Sequence, residues 1–336
     1  MKIALLTPTF SQFSGIDRVV ELDSEEYINQ GNEVTIFSFN ATIKPKRAKL
    51  VTMGMPNNQT IERIYRLFFF LDVFKINKYL RMIRNYDQVI AYFYPMTWLG
   101  YKAKKRYNIK YIYWNAGIAY PELFKKFTEK IYLRLFLLFV KKSVSNVDGA
   151  ISISKFMQEE LKKQTGLNSI VKYIKIDESR FHLGISGEKI RKRYNISEKE
   201  KVFLYVGRIS PHKSIHLLIT AFKKAQSNIK ESKLIIVGKP TFINYVKELK
   251  KLANNDVIFT GFVKDEELPE YYAACDVYTT ASKWEGYDMP IVEAQACGKK
   301  VIAFNCCSHP EVVNNGVLVK TGDLEEFTKA MVKLSK

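Results

Sequence analysis

No Cys-x-x-Cys pair and no Asp-x-Asp pair occurs in these 336 residues. The four cysteines, Cys275, Cys297, Cys306 and Cys307, lack zinc-site spacing and are too sparse for a disulfide scaffold. Their neighbours read as core strand and helix, which leads to the expectation of a reducing, cytoplasmic setting. No unbroken apolar run approaches the ~18–20 residues that span a bilayer. The opening run Met1 to Pro8 is too short for the apolar region of a signal peptide and has no small-residue cleavage site, so it reads as a first buried strand. Negative charge is also in short supply. Lys and Arg number 53 against 34 Asp and Glu, a net charge of +19. The excess is uneven: residues 1–183 carry 29 basic and 16 acidic side chains, and residues 184–336 carry 24 and 18. Such a first half should be drawn to an anionic membrane surface, an anionic acceptor or nucleic acid. An apolar content of 47% and a charged content of 26% fit an ordinary globular protein, and the length predicts two domains, placed here at 1–183 and 184–336.

In the first half, residues 2–6 read as a strand ending at Thr7-Pro8. The loop Thr9 to Asp17 contains Gly15, and a helical pattern from Arg18 to Asn29 follows, with Val19, Val20, Leu22 and Tyr27 as core positions. Glu33 to Phe39 reads as the next strand, completing a strand–helix–strand unit. Further buried strands are predicted at Gln88–Tyr92 and Lys110–Trp114. Two segments combine cations with large apolar side chains: Ile61 to Arg84 and Phe124 to Lys142. Both read as core helices with a solvated basic face, or as amphipathic helices that lie on an anionic membrane. The linker falls near Lys175 to Glu200.

The second half predicts repeated strand–loop–helix units, and hence a parallel sheet covered on both faces. Lys201–Val206 reads as a strand that ends at Gly207. Arg208 and Lys213 then project from one loop, two cations suited to a diphosphate, one by a forked contact and one as a point charge. The bland alternative is an exposed basic loop. Leu234–Val237 and Asn255–Val263 are further strands, the first ending at Gly238. Downstream stands Glu285-Gly286-Tyr287-Asp288-Met289-Pro290-Ile291-Val292-Glu293, closed by Gly298. Pro290 suits the first position of a helix and Gly298 the position just past its end. Glu285 is then in the preceding loop and Glu293 in the first turn, flanking a helix N-terminus whose open N–H groups and partial positive charge attract phosphate. Carboxylates beside a phosphate suit the hydroxyls of an attached sugar, so the implied ligand is a nucleotide sugar. A loop cap and a solvated glutamate make the plain alternative.

The Glu285–Gly298 stretch, together with Gly207-Arg208 and Lys213, resembles the signature of the family 4 retaining glycosyltransferases. The resemblance implies an α/β, GT-B fold: two Rossmann-like, doubly wound parallel-sheet domains facing across a cleft. It also implies transfer of a sugar from a nucleotide-diphosphate sugar to a hydroxyl acceptor, such as a lipid-linked or cell-surface glycan. No cofactor, no metal and no nucleic acid would be involved, and the protein would work in the cytoplasm or at the inner face of a membrane. By this likeness Glu285, Arg208 and Lys213 are catalytic. Gly15, Gly207, Gly238, Phe262, Val263, Gly286, Tyr287, Asp288, Met289, Pro290 and Glu293 bind substrate. Departures are Ser214 in place of the usual glycine after the lysine, a single glycine at Gly15, and Tyr113 or Trp114 where relatives often place a histidine; no catalytic histidine is assigned. Relatives also continue beyond the position of Lys336 with a helix that crosses back to the first domain. A nucleotide-sugar epimerase, a sugar phosphorylase and a non-catalytic basic protein remain as rival readings.

Overall fold

The structure, a computed structural model, describes residues 1–11, 15–123 and 126–336. Gln12, Phe13 and Ser14 of the glycine loop, and Phe124 and Lys125 of the second basic segment, lie outside the described residues. The chain divides into two compact units, Met1–Ile174 and Lys175–Lys336.

The first unit runs β1 (Lys2–Phe10), α1 (Gly15–Asn29), β2 (Glu33–Ala41), β3 (Lys49–Thr52), α2 (Gln59–Leu67), α3 (Val73–Ile83), β4 (Gln88–Ala91), α4 (Met96–Tyr107), β5 (Lys110–Asn115), α5 (Phe127–Ser143), β6 (Gly149–Ser152), α6 (Lys155–Thr165) and β7 (Ile170–Val171). Its sheet has the order β3-β2-β1-β4-β5-β6-β7, and every pairing is parallel. Parallel strands need crossover helices on the sheet faces, so β1 is buried along most of its length. β1 does not stop at Pro8 as expected. It pairs with β4 only from Ile3 to Leu6 but stays in register with β2 to Phe10. A missing N–H at Pro8 is therefore tolerated, because the β4 side is no longer paired there. The expected helical segment 61–84 is broken in two. Asp72 ends the turn after α2 and caps α3, accepting from the Lys75 N–H at 3.0 Å.

The second unit runs α7 (Glu188–Arg193), β8 (Lys201–Val206), α8 (Ile215–Ala225), β9 (Ser232–Val237), α9 (Ile243–Leu252), β10 (Val257–Gly261), α10 (Leu268–Ala274), β11 (Val277–Thr280), α11 (Met289–Ala296), β12 (Lys300–Phe304), α12 (His309–Val312), β13 (Gly316–Val319) and α13 (Leu324–Leu334). The sheet order is β10-β9-β8-β11-β12-β13, again all parallel. Leu218 and Phe222 of α8 and Phe327 and Met331 of α13 bury their side chains in one core with the sheet. Each unit is a doubly wound α/β sheet.

The division between units falls nine residues earlier than the expected 183/184. Residues 175–183 pack with the second unit. Phe181 is buried edge-on against Tyr272, with ring centres 5.8 Å apart. Arg180 pairs with Asp265 at 2.7 Å, and the Leu183 side chain lies against Gly298.

Candidate functional site

In a doubly wound sheet, ligands bind outside the carboxyl ends of the strands, where the strand order changes direction. In the second unit that point lies between β8 and β11, since β9 and β10 are added on one side and β12 and β13 on the other. The loops that leave β8, β9, β10, β11 and β12 here carry nearly all the residues singled out from the sequence.

Leaving β8, Gly207 opens the loop that holds Arg208, and a short turn Pro211–Lys213 leads into α8. Leaving β9, Gly238 comes so close to this loop that a Cβ on it would stand 1.8 Å from the Gly207 carbonyl oxygen. Only glycine permits that approach. Gly238 also donates to the Gly261 carbonyl at 2.9 Å, which brings in the end of β10, where Phe262 is exposed and Val263 is buried. Leaving β11, the chain reaches Glu285.

Lys213 and Glu285 meet directly. The ammonium donates to Oε1 of the carboxylate, and both side chains are largely buried. This contact joins the β8 and β11 loops, and the sequence reading did not contain it: that reading aimed the two groups at different parts of a ligand. Burial works against an ionised Glu285. The charge and hydrogen bond of Lys213, with His309 and Ser282, outweigh it and hold the carboxyl below its usual range. Arg208 is exposed and has no side-chain partner among the described residues. Between these two cations His212 is pushed down to about 4 by burial and then by the Lys213 charge, so it is neutral near pH 7.

The helix reading is borne out with two corrections. α11 begins at Met289, so Pro290 takes its second position. Glu293, five residues in, consequently belongs to the second turn. It is buried and accepts from the Tyr272 hydroxyl at 2.7 Å, which excludes the solvated alternative. Gly298 stands just past the end with φ +76°, a left-handed cap as expected. Asp288 precedes α11 in a left-handed conformation, φ 61°, and its side chain makes no capping bond to the helix. It is turned to His309 instead, with Oδ2 3.1 Å from Nε2. Gly286 is half-buried and Tyr287 is buried beside it.

His309, at the start of α12, is a site residue that the sequence reading took only for part of a turn. It is fully buried, and its Nδ1 donates to the Phe304 carbonyl at 2.7 Å. With that nitrogen committed as a donor, Nε2 and the Asp288 carboxyl share one proton. Burial opposes the charged imidazole, but the Asp288 hydrogen bond and charge prevail and raise its pKa above the usual value. Asp288 is raised in turn, first by burial and then by the Glu285 charge. Ser308 Oγ donates to the Glu285 carbonyl at 3.2 Å and ties the same loop to Glu285. Cys306 and Cys307 are also in this loop, half-buried, rather than in core strand or helix as expected.

Glu285, Asp288 and His309 bring one potential metal-ligand atom each within 4.8 Å of one another. Each carboxylate is already met by a basic group, Lys213 on Glu285 and His309 on Asp288, so the cluster is charge-balanced by the protein itself. A divalent ion would have to displace one of those partners.

Gly15 belongs to the first unit, where it opens α1. It is exposed, and a Cβ there would meet nothing within 4 Å among the described residues. In that unit Tyr113 and Trp114, at the position where relatives often carry a histidine, are both buried on β5. Trp114 has the Lys172 ammonium 5.1 Å above its ring.

Two family models match the chain: Glycosyltransferase Family 4 over residues 13–174 and Glycosyl transferases group 1 over residues 186–336. An uncharacterised glycosyltransferase of Methanocaldococcus jannaschii is 28% identical over 290 residues, covering 81% of this chain and 69% of its own. A GDP-mannose-dependent alpha-mannosyltransferase of Corynebacterium glutamicum is 30% identical over 192 residues, covering 56% and 44%. The chain spans between 33% and 69% of the length of the curated relatives it matches. Among solved structures, Anabaena HepE in complex with UDP-glucose is similar at a TM-score of 0.78 and 22% identity, over 99% of this chain and 89% of that one. The two parallel sheets, the loops gathered at their carboxyl ends and the paired family models agree: the chain belongs to the group 1 glycosyltransferases of the GT-B fold.

Proposed function

We propose that the protein transfers a glycosyl group, with retention of anomeric configuration and without a metal, from a nucleotide-diphosphate sugar to a hydroxyl of a lipid-linked or cell-surface glycan. The observation that carries this reading is the Lys213–Glu285 contact, which joins the cation-bearing loop to the carboxylate-bearing loop at the change of strand direction. The named ligands of similar proteins, UDP-glucose and GDP-mannose, are of the same donor class.

In this mechanism the exposed Arg208 grips the diphosphate and Lys213 bridges Glu285 and a phosphate oxygen. Both offset the negative charge that grows as the leaving group departs. The uncapped N–H groups opening α11 add to that field. Glu285 accepts from sugar hydroxyls and Glu293 from the ribose. Gly207, Gly238 and Gly286 let the backbone come close to the donor, and Phe262 and Val263 flank the base. The segment Tyr287, Asp288, Met289 and Pro290 frames the phosphate side. The acceptor oxygen bonds to the anomeric carbon as the bond from that carbon to the phosphate oxygen breaks, on the same face. The acceptor proton passes to the departing diphosphate.

Incubation with UDP- and GDP-sugars tests the reaction class, because transfer, isomerisation and phosphorolysis give different products. A thermal-shift screen of nucleoside diphosphates tests the site: a ligand at about 100 times its dissociation constant adds about 2.7 kcal/mol. No shift with any nucleoside diphosphate would overturn the donor assignment.

A further inference from the structure

We propose that the α2–α5 face of the first unit is a docking surface for an anionic lipid bilayer. The sequence alone left these segments as core helices with a solvated basic face or as amphipathic helices on an anionic membrane. The structure puts an apolar stripe outward as well.

α5 carries two apolar stripes. One faces the unit: Phe136 packs edge-on against Tyr94 at 5.0 Å, and Phe139 lies 4.8 Å from Phe70. The other is Phe127, Ile131, Leu135 and Leu138, spaced four, four and three residues apart, which aligns them on one side of a helix. All four are exposed, Phe127 at 71% and Leu138 at 61%. α2 repeats the pattern with Ile61 and Ile64, also exposed, as is its cap residue Phe68, and Phe74 at the start of α3 is 93% exposed. The helices are side by side. Arg63 of α2 forms a forked ion pair with Glu129 of α5, at 3.1 and 2.6 Å, and the Tyr132 hydroxyl donates to the Arg63 carbonyl at 3.3 Å. An uncovered apolar surface built from two neighbouring helices marks an interaction site.

Charge selects the partner. Residues 59–84 and 126–143 hold eleven Lys and Arg against three Asp and Glu. Lys141 and Lys142 close α5, both exposed and without an ion-pair partner among the described residues. A cavity of about 290 Å³ is lined by Phe70, Val73, Ile76 and Leu80 together with Lys102, Lys105 and Arg106. A second copy of this surface would be repelled by the same charge, and lysine-bordered stripes differ from protein interfaces, where lysine is depleted. Apolar side chains entering the acyl boundary while lysines meet anionic headgroups satisfy both features. Among the described residues no helix is long and apolar enough to cross a membrane.

Flotation of the full chain with phosphatidylcholine vesicles, with and without phosphatidylglycerol, tests this. Binding is expected only with phosphatidylglycerol and should fall as salt screens the lysines. Leu135→Asp with Leu138→Asp should abolish it. Lys141→Glu with Lys142→Glu should weaken partitioning by roughly tenfold or more, without altering thermal unfolding or nucleotide binding. The charge-reversal pair keeps the test valid should the apolar pair misfold. Equal flotation with either lipid, undiminished flotation of both double variants, or no flotation of the wild type would overturn the proposal. So would a wild-type dimer that the same substitutions dissociate, which would assign the face to a second copy.

Discussion

Removing the Lys213 side chain tests the site without any knowledge of the substrate. Lys213 and Glu285 are only 14% and 11% exposed. Lys213→Ala leaves the Glu285 carboxylate buried and unpaired, close to Asp288, and breaking a buried pair in this way costs about 3–5 kcal/mol. In a unit of this size 1 kcal/mol corresponds to roughly 2–4 °C, so the melting temperature should drop by about 6–20 °C. Glu285→Ala strands the ammonium instead and should also destabilise. The double variant loses both charges and should cost clearly less than the two singles summed, because interacting neighbours are not additive. The effect also depends on pH. Glu285 has a lowered pKa in the folded protein, so the stability it contributes is present above its unfolded value and is lost as pH falls through the folded value. The gap between wild type and Lys213→Ala should therefore narrow in acid, where the stranded carboxylate takes up a proton. Calorimetry on the four proteins at neutral and acidic pH measures all of this. A Lys213→Ala variant that melts with the wild type, or a double variant whose loss equals the sum of the singles, would refute the buried-pair reasoning.

Other outcomes follow from the same geometry. The His309 imidazole should titrate above 6.5 by NMR, and its stabilising contribution, complete below 6.5, should be lost as pH rises through the folded value; a midpoint at or below 6.5 would contradict the Asp288 pairing. Arg208→Ala should lower turnover by roughly 10²–10³ while leaving the melting temperature unchanged, since the side chain is exposed and has no partner among the described residues; steady-state kinetics at matched donor concentrations decide this. Tyr272→Phe removes a hydrogen bond to a buried carboxylate and should cost about 1.5–3 kcal/mol. Glu293→Ala should weaken nucleotide affinity by calorimetry, and unchanged affinity would remove its ribose role.

The order of strands and helices was largely legible because parallel sheets are written in the sequence as short apolar runs ended by glycine or polar loops. Val202–Val206 and Leu234–Val237 are of this kind, and each is followed by a helical repeat. Boundaries were less legible where a tertiary contact overrides a local signal. Pro8 ordinarily ends a strand, yet β1 runs through it because its neighbour on one side has already stopped. Leu183 looks like linker, yet it lies against Gly298, a position more than a hundred residues away in the chain. The two faces of α5 show the same limit. Its mixture of Lys, Leu and Phe is equally consistent with a core helix and a surface helix, and only the packing of Phe136 and Phe139 tells which stripe is turned inward.

At the site, residues in recognisable spacing were found and residues that serve them were not. Arg208, Lys213, Glu285 and Glu293 stand out because each falls within three residues of a glycine or proline in a loop or at a helix start. His309 has no such spacing to Asp288; the two are 21 positions apart and meet only because β11 and β12 are neighbours in the sheet. A signal was nevertheless present. Once Glu285–Asp288 was assigned to the loop after β11, the loop after the next strand had to lie beside it, and Ser308-His309 is the polar pair in that loop. A buried aspartate that forms no ion pair with a lysine or arginine among the described residues calls for a protonatable partner, and histidine is the side chain whose charge can respond near neutral pH. Asp288 in a left-handed conformation points the same way. A non-glycine residue there carries strain, so the loop keeps the aspartate for its carboxyl rather than for its backbone. His309→Gln combined with Asp288→Gly, which removes both the partner and the strain, should therefore restore stability that His309→Gln alone loses.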